Sequence, residues 1–160
     1  MKRIPSVAIV AIAVPLLVTS MTACSPTVAM EPAADATDPG CAEVIVRLQS
    51  VSNLSLRETN AQGTAAWGDP TSVLLRCGVA APAPSTKCNT FGGVDWITDD
   101  SNDPRFVFTT YGRDPVVQVI IDTDLVNGEA KVLTDLGNAV GSIPQTKKCT
   151  DPADTPALLP

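Results

Sequence analysis

From Ser72 onward the apolar residues fall into short runs separated by turn residues. Ser72 to Val79 is rich in Val and Leu, and Val94 to Thr98 forms a second run. Arg105 to Tyr111 sets Phe106 and Phe108 against Val107 and Thr109, and Val116 to Asp122 sets Val117, Val119 and Ile121 against Val116, Gln118 and Ile120. A period of two is the mark of a strand, and apolar residues on both sides of it mark a strand buried on both faces. Asp99 to Pro104 and Gly112-Arg113-Asp114-Pro115 read as turns between these runs. Four strands are therefore expected. The short links between the last three predict antiparallel pairing, because parallel neighbours need a crossover of about a dozen residues or more. Leu56 to Thr71, punctuated by Gly63 and Gly68-Asp69-Pro70, reads as a turn-rich stretch.

Two segments carry a helical period. Asp38-Pro39 suits an N-cap followed by proline at the first helical position. After it, Cys41, Val44 or Ile45, and Leu48 share one face. Glu129 to Val140 places Val132, Leu133, Leu136, Ala139 and Val140 at helical spacing before Pro144. The expected fold is α+β: a four-stranded, mainly antiparallel sheet with an N-terminal and a C-terminal helix on one face, closed by two disulfides.

The chain's beginning has a different pattern. Met1-Lys2-Arg3 is a short cationic start, Ile4 to Val18 is almost wholly apolar, and Met21-Thr22-Ala23 precede Cys24. A charged start, a compact apolar run and small residues before a cut site describe a secretory signal. The run is barely long enough to span a bilayer and contains Pro15. Residues 21–24 resemble the lipobox of bacterial lipoproteins, although Met21 stands where leucine is usual. That resemblance implies cleavage after residue 23 and a diacylglycerol on Cys24, with two acyl chains giving stable anchoring. Residues 24–40, with prolines and alanines and little apolar pattern, read as the lipidated N-terminus and a flexible tether. Residues 41–149 are expected to form a single domain, and 150–160 a Pro-rich tail.

Setting Cys24 aside, four of the five cysteines remain, and an even number in an exported domain reads as two disulfides with three possible connectivities. Cys77 and Cys88 flank the Pro-rich turn at residues 81–85, so they are the expected short bridge. Cys41 and Cys149, near the two ends of the domain, are the expected long one. No Cys-x-x-Cys pair is present, which argues against thioredoxin-like redox chemistry.

Composition narrows the function. Removing Lys2 and Arg3 leaves nine of the 11 basic residues against 17 acidic ones, which argues against nucleic acid as a partner. The chain holds no histidine, so the commonest general base, the usual zinc ligand and every Ser-His or Cys-His arrangement are excluded. No cofactor and no metal site are expected. Asp99-Asp100-Ser101-Asn102-Asp103 has oxygen ligands for calcium but lacks the spacing and closing glutamate of an EF-hand loop, and reads as a solvated turn. Asp122 and Asp124 flank Thr123 at a strand end, and a glycosidase-like acid–base pair is not expected there.

Ala65-Ala66-Trp67-Gly68-Asp69-Pro70, Leu75-Arg76-Cys77-Gly78-Val79, Gly93-Val94-Asp95-Trp96 and Thr109-Thr110-Tyr111-Gly112-Arg113-Asp114-Pro115 occur in this order. Together they resemble the domain-of-unknown-function 3515 family, over roughly residues 38–142. The resemblance implies an exported actinobacterial protein or lipoprotein and supplies no reaction, ligand or catalytic residue.

The candidate binding residues are Trp67, Asp69, Arg76, Trp96, Tyr111, Arg113 and Asp114, which fall at strand ends and turns. Arginine offers a planar fork for carboxylate or phosphate, and tryptophan a flat stacking face. The competing reading, and the favoured one, makes Trp67 and Trp96 core residues and has Arg113 pair with a carboxylate or cap a turn. The expected function is a non-enzymatic, lipid-anchored envelope protein on the extracytoplasmic face of the membrane, binding an envelope protein or glycan. The alternative is a carboxylate-dependent envelope hydrolase working through Asp95 or Asp114.

Overall fold

The computed structural model describes residues 26–149. The leader, Cys24 and the tail at 150–160 lie outside the described residues. Helix α1 spans Pro39–Ile45. Seven strands follow: β1 (Leu56–Arg57), β2 (Thr64–Trp67), β3 (Val73–Val79), β4 (Cys88–Phe91), β5 (Val94–Asp99), β6 (Arg105–Thr110) and β7 (Val116–Asp122). Helix α2 (Glu129–Val140) comes last. The sheet is seven-stranded, not four-stranded, and its order is β1-β2-β3-β7-β6-β5-β4 with every neighbour antiparallel. Two meanders, β1 to β3 and β4 to β7, meet along the β3–β7 seam.

The expected runs are β3, β5, β6 and β7, and both helices stand where the periodicity puts them. The added strands extend the sheet at its two sides. β2 is hidden in sequence because Thr64-Ala65-Ala66-Trp67 is buried at every position and so shows no alternation. It is also enclosed by Gly63 and Gly68, which read as turn residues. β4 is a short edge strand with a polar centre, Asn89 and Thr90, and β1 has only two residues.

Helix α1 starts as expected: Asp38 Oδ1 accepts from the Gly40 amide at 2.7 Å, and Pro39 follows the cap. Both helices contribute to one core. Toward them point Trp67, Val73 and Ile121, then Leu75, Val119 and Phe108, then Cys77 and Val117, each set sharing register positions across β2, β3, β7 and β6. Val44 of α1 and Val132, Leu133, Leu136 and Val140 of α2 close over them. Fully burying each such side chain contributes about 1.5–3 kcal/mol, so this single layer carries most of the fold.

The disulfides join Cys41 to Cys77 and Cys88 to Cys149, in place of the expected Cys77–Cys88 and Cys41–Cys149. The reason is the pleat. Cys77 on β3 faces α1, whereas Cys88 on β4 pairs with Ile97 on the opposite face, and β7, β6 and β5 stand between the two strands. The 36- and 61-residue separations make each bridge worth about 4 kcal/mol on the loop-entropy model.

Residues 26–38, expected as part of a tether, are laid against the sheet. The Pro26 carbonyl accepts from Arg57 Nη2 at 2.8 Å, Val28 bridges Thr59, and the Asp35 amide donates to the Gly78 carbonyl at 3.0 Å. Gly78 has φ +88°, and a Cβ there would overlap the Asp35 carbonyl, so only glycine lets the segment come this close. A second strap follows α2. The Thr146 amide donates to the Gly112 carbonyl at 2.6 Å, and a Cβ on Gly112 would overlap the Lys147 backbone.

Candidate functional site

The face of the sheet turned away from the helices is covered only at its sides. The N-terminal strap lies over the β2–β3 side, where Thr64 and Ala66 are buried although they point away from the core. The C-terminal strap, residues 143–149, lies over β5 and β4. Across this face the strands set two parallel rows of side chains, their β2 members buried under the N-terminal strap and the rest half-buried between the straps. One runs Ala66, Leu74, Ile120 and Val107, successive register partners across β2, β3, β7 and β6. The next runs Thr64, Arg76, Gln118 and Thr109 on the same four strands. Cross-strand partners share a face, so an apolar stripe lies beside a polar one two residues away along each strand.

Leu74, Val107 and Ile120 are half-buried with no helix above them, and with Val28 and Ala29 of the strap and the polar Thr71, Ser72 and Asn102 they line a groove of about 340 Å³. Arg105 and Asp122 stand at its end, 3.9 Å apart. A larger hollow of about 570 Å³ lies at the sheet edge along Asn53–Glu58 and Asp69. It is walled mainly by loop residues and gathers no row of side chains from the sheet.

Arg76 is the site's charged centre. Its Nη2 donates to Gln118 Oε1 at 2.5 Å, while its Nε is buried and has no partner. Among the described residues no carboxylate forms an ion pair with it. The Nε atoms of Arg57 and Arg113 are buried without a partner in the same way, and Arg76 lies outside the lining of the groove.

The other expected binding residues do not gather here. Trp67 and Trp96 are wholly buried in the core under the helices, as the packing reading had them. Trp67 Nε1 donates to the Gln49 carbonyl at 2.8 Å, whereas Trp96 Nε1 is buried without a partner. Arg113 is buried, its two terminal nitrogens donating to the Ile143 carbonyl and, at 3.3 Å, to the Gly93 carbonyl, so it ties the end of α2 to the β4–β5 turn. Tyr111 and Asp114 sit at the β6–β7 turn, and Asp69 sits in the β2–β3 turn at the opposite end of the strands. The seven therefore divide among the core, the two sheet ends and, for Arg76 alone, the open face. Gln118 and Arg105 were missed; the signal for Gln118 was its position as the one polar residue inside the apolar run Val116–Ile121.

Asp95 is held by three hydrogen-bond donors. Thr90 Oγ1 and Gln145 Nε2 donate to its carboxylate, the latter at 2.7 Å, and the Cys149 amide donates at 2.8 Å. Burial pushes the Asp95 carboxyl up, but these three donors and the nearby Arg113 charge outweigh it and hold the group below the ordinary carboxylate range. The carboxylate is the knot of the C-terminal strap. Asp114 is exposed.

Among the described residues no group of three or more His, Cys, Asp or Glu side chains could hold a metal ion. In the Asp99–Asp103 turn, Asp100 pairs with Lys87 Nζ at 2.6 Å and Asp99 accepts from the Ser101 amide at 3.0 Å, as a solvated turn would. No helix among the described residues is long and apolar enough to cross a membrane.

No curated protein and no solved structure matches the chain. The family described as protein of unknown function (DUF3515) matches residues 3–149, nearly the whole sequence and all four motifs, and the chain belongs to that family.

Proposed function

We propose that this protein is a lipid-anchored binding module of the cell envelope, held at the extracytoplasmic face of the membrane through Cys24 and taking its ligand on the open sheet face. The observation that carries the location is the pairing of the cysteines. Cys41–Cys77 and Cys88–Cys149 use four of the five, leaving Cys24 without a partner in the chain, at the position where the lipobox-like residues end. Two disulfides in so small a domain suit an oxidising compartment. A binding role is supported by the uncovered apolar and polar rows and by Arg76.

Detergent phase partitioning of protein from its native host, with mass analysis of the N-terminal peptide, tests the anchor. The expected result is partition into the detergent phase and a diacylglyceryl mass on Cys24, with Cys24→Ala abolishing both. Wild-type protein in the aqueous phase with an unmodified thiol contradicts the proposal.

A further inference from the structure

We infer that the corner of the sheet where β1 meets the β2–β3 turn is a membrane-docking surface, seated on the lipid headgroups with Leu54 and Leu56 turned toward them. This rests on the anchored reading above and adds to it which part of the domain meets the bilayer.

Reach sets the distance. Pro26 is fixed to the domain: its carbonyl accepts from Arg57 Nη2 at 2.8 Å, and the same guanidinium donates through Nη1 to the Gly68 carbonyl at 3.1 Å and to Thr71 Oγ1 at 2.9 Å. The residues after it are held as well, the Val28 amide donating to the Glu58 carbonyl at 2.9 Å and the Met30 amide to Asn60 Oδ1 at 2.7 Å. Only Ser25 stands between Pro26 and Cys24, and two residue steps span at most ~7 Å. The headgroup layer on each side of a bilayer is itself roughly 5–7 Å deep. A diacylglyceryl group on Cys24 therefore brings the corner around Pro26 down to the headgroups, too close for a linker to lift it off.

The surface at that corner suits the contact. Arg57 helps to wall the open hollow of about 570 Å³ along Asn53–Glu58, Gly68 and Asp69, and Leu54 and Leu56 supply its apolar part. Among the described residues three large apolar side chains are exposed, Val46, Leu56 and Leu125, and the first two flank this edge. Leu56 belongs to β1, and Val46 shares a hollow with Thr59 and Ala61 just after it. Grouped exposed apolar side chains with a polar rim are a mark of surfaces that meet membranes or proteins, and here the short link selects the membrane. Charge agrees with this seating. The acidic turn Asp99–Asp103 follows β5, five strand spacings of ~4.8 Å from β1 or about 24 Å. That exceeds the ~8 Å over which exposed charges act in physiological salt, so the turn stays clear of anionic lipid.

The test uses lipidated protein from the native host, added to preformed phosphatidylcholine vesicles that contain a lipid with a nitroxide quencher on its headgroup. A fluorophore is placed on Ser55→Cys, an exposed position in the hollow, or on Lys147→Cys, exposed beside Gly112 at the other end of strands ~20 Å long. Quenching several-fold stronger at position 55 than at 147 is expected. A label on Asp69→Cys, across the hollow, repeats the measurement should the Ser55 variant misfold. Inserting a twelve-residue Gly-Ser spacer between Ser25 and Pro26, which spans roughly 20 Å as a coil, should bring both positions to equal and weak quenching. Equal quenching without the spacer, stronger quenching at 147, or none at either position overturns the inference. A preference for position 55 that survives the spacer overturns it too, because the short link would then not be what seats the corner. Mass analysis of the same sample separates the two readings: an unmodified Cys24 sinks the anchor, whereas a lipidated Cys24 with unquenched labels sinks the docking surface alone.

Discussion

Strands β3 and β7 lie side by side at the middle of the sheet and show different chemistry to its two sides. Toward the helices, Val73, Leu75 and Cys77 meet Val117, Val119 and Ile121, all with no exposed surface. Away from the helices, Leu74 and Arg76 meet Ile120 and Gln118, all half-buried. The same backbone hydrogen bonds support both surfaces, so the difference lies in what covers them. The helix side is sealed by α1, α2 and a disulfide; the other side is sealed at its flanks by two straps and left uncovered between them. The strip is where function can reside without disturbing the core.

The largest expected effect comes from removing an anchor of the helix side. Trp67→Ala deletes a wholly buried indole and its bond to Gln49, and should cost about 4–5 kcal/mol in denaturant unfolding, a large fraction of a small domain's total. Replacing Cys41 and Cys77 together by alanine should cost about 4 kcal/mol, since it frees a 36-residue loop in the unfolded chain. Differential scanning calorimetry under non-reducing conditions measures this loss.

Asp95→Ala should cost about 2–3 kcal/mol by leaving the donors of Thr90, Gln145 and Cys149 unsatisfied. Its pH dependence has a definite sign. A carboxyl whose folded pKa lies below its unfolded value adds stability that is fully present above the ordinary carboxylate range and lost as pH falls through the depressed value. The gap in denaturation midpoint between wild type and Asp95→Asn should therefore be wide near neutrality and close in acid. A gap independent of pH would mean the carboxylate charge does not hold the strap. The smallest effect belongs to the open face: Ile120→Ala should cost only about 1 kcal/mol, because a half-exposed side chain loses less by truncation. A loss as large as that of Trp67→Ala would mean the strip is sealed in solution and would break the contrast between the faces.

The sequence made the middle of the sheet readable and its margins obscure. Val116 to Asp122 could be read because its alternation spans a whole strand, and Glu129 to Val140 because its apolar positions keep a helical period through three turns. Thr64 to Trp67 could not, since a strand buried on both faces and bounded by glycines has neither alternation nor length to distinguish it from a turn. The disulfides were misassigned for a related reason. Closeness along the chain favoured Cys77 with Cys88, but whether two cysteines meet depends on which face each occupies and how many strands lie between, and neither is settled until the sheet order is known. Of the site, only Arg76 was legible. It drew attention for its planar fork among residues read at strand ends and turns, while its neighbours Leu74, Val107 and Ile120 looked like ordinary core residues because nothing local reveals that their side of the sheet lacks a helix.

Methyl-labelled NMR spectra recorded while a soluble paramagnetic agent is added compare the two faces in one experiment. The signals of Leu74, Val107 and Ile120 should broaden while those of Leu75, Val119 and Ile121 stay within a small fraction of that change. Equal broadening on the two sides, or broadening confined to the helix-side methyls, would contradict the contrast between a sealed and an open face.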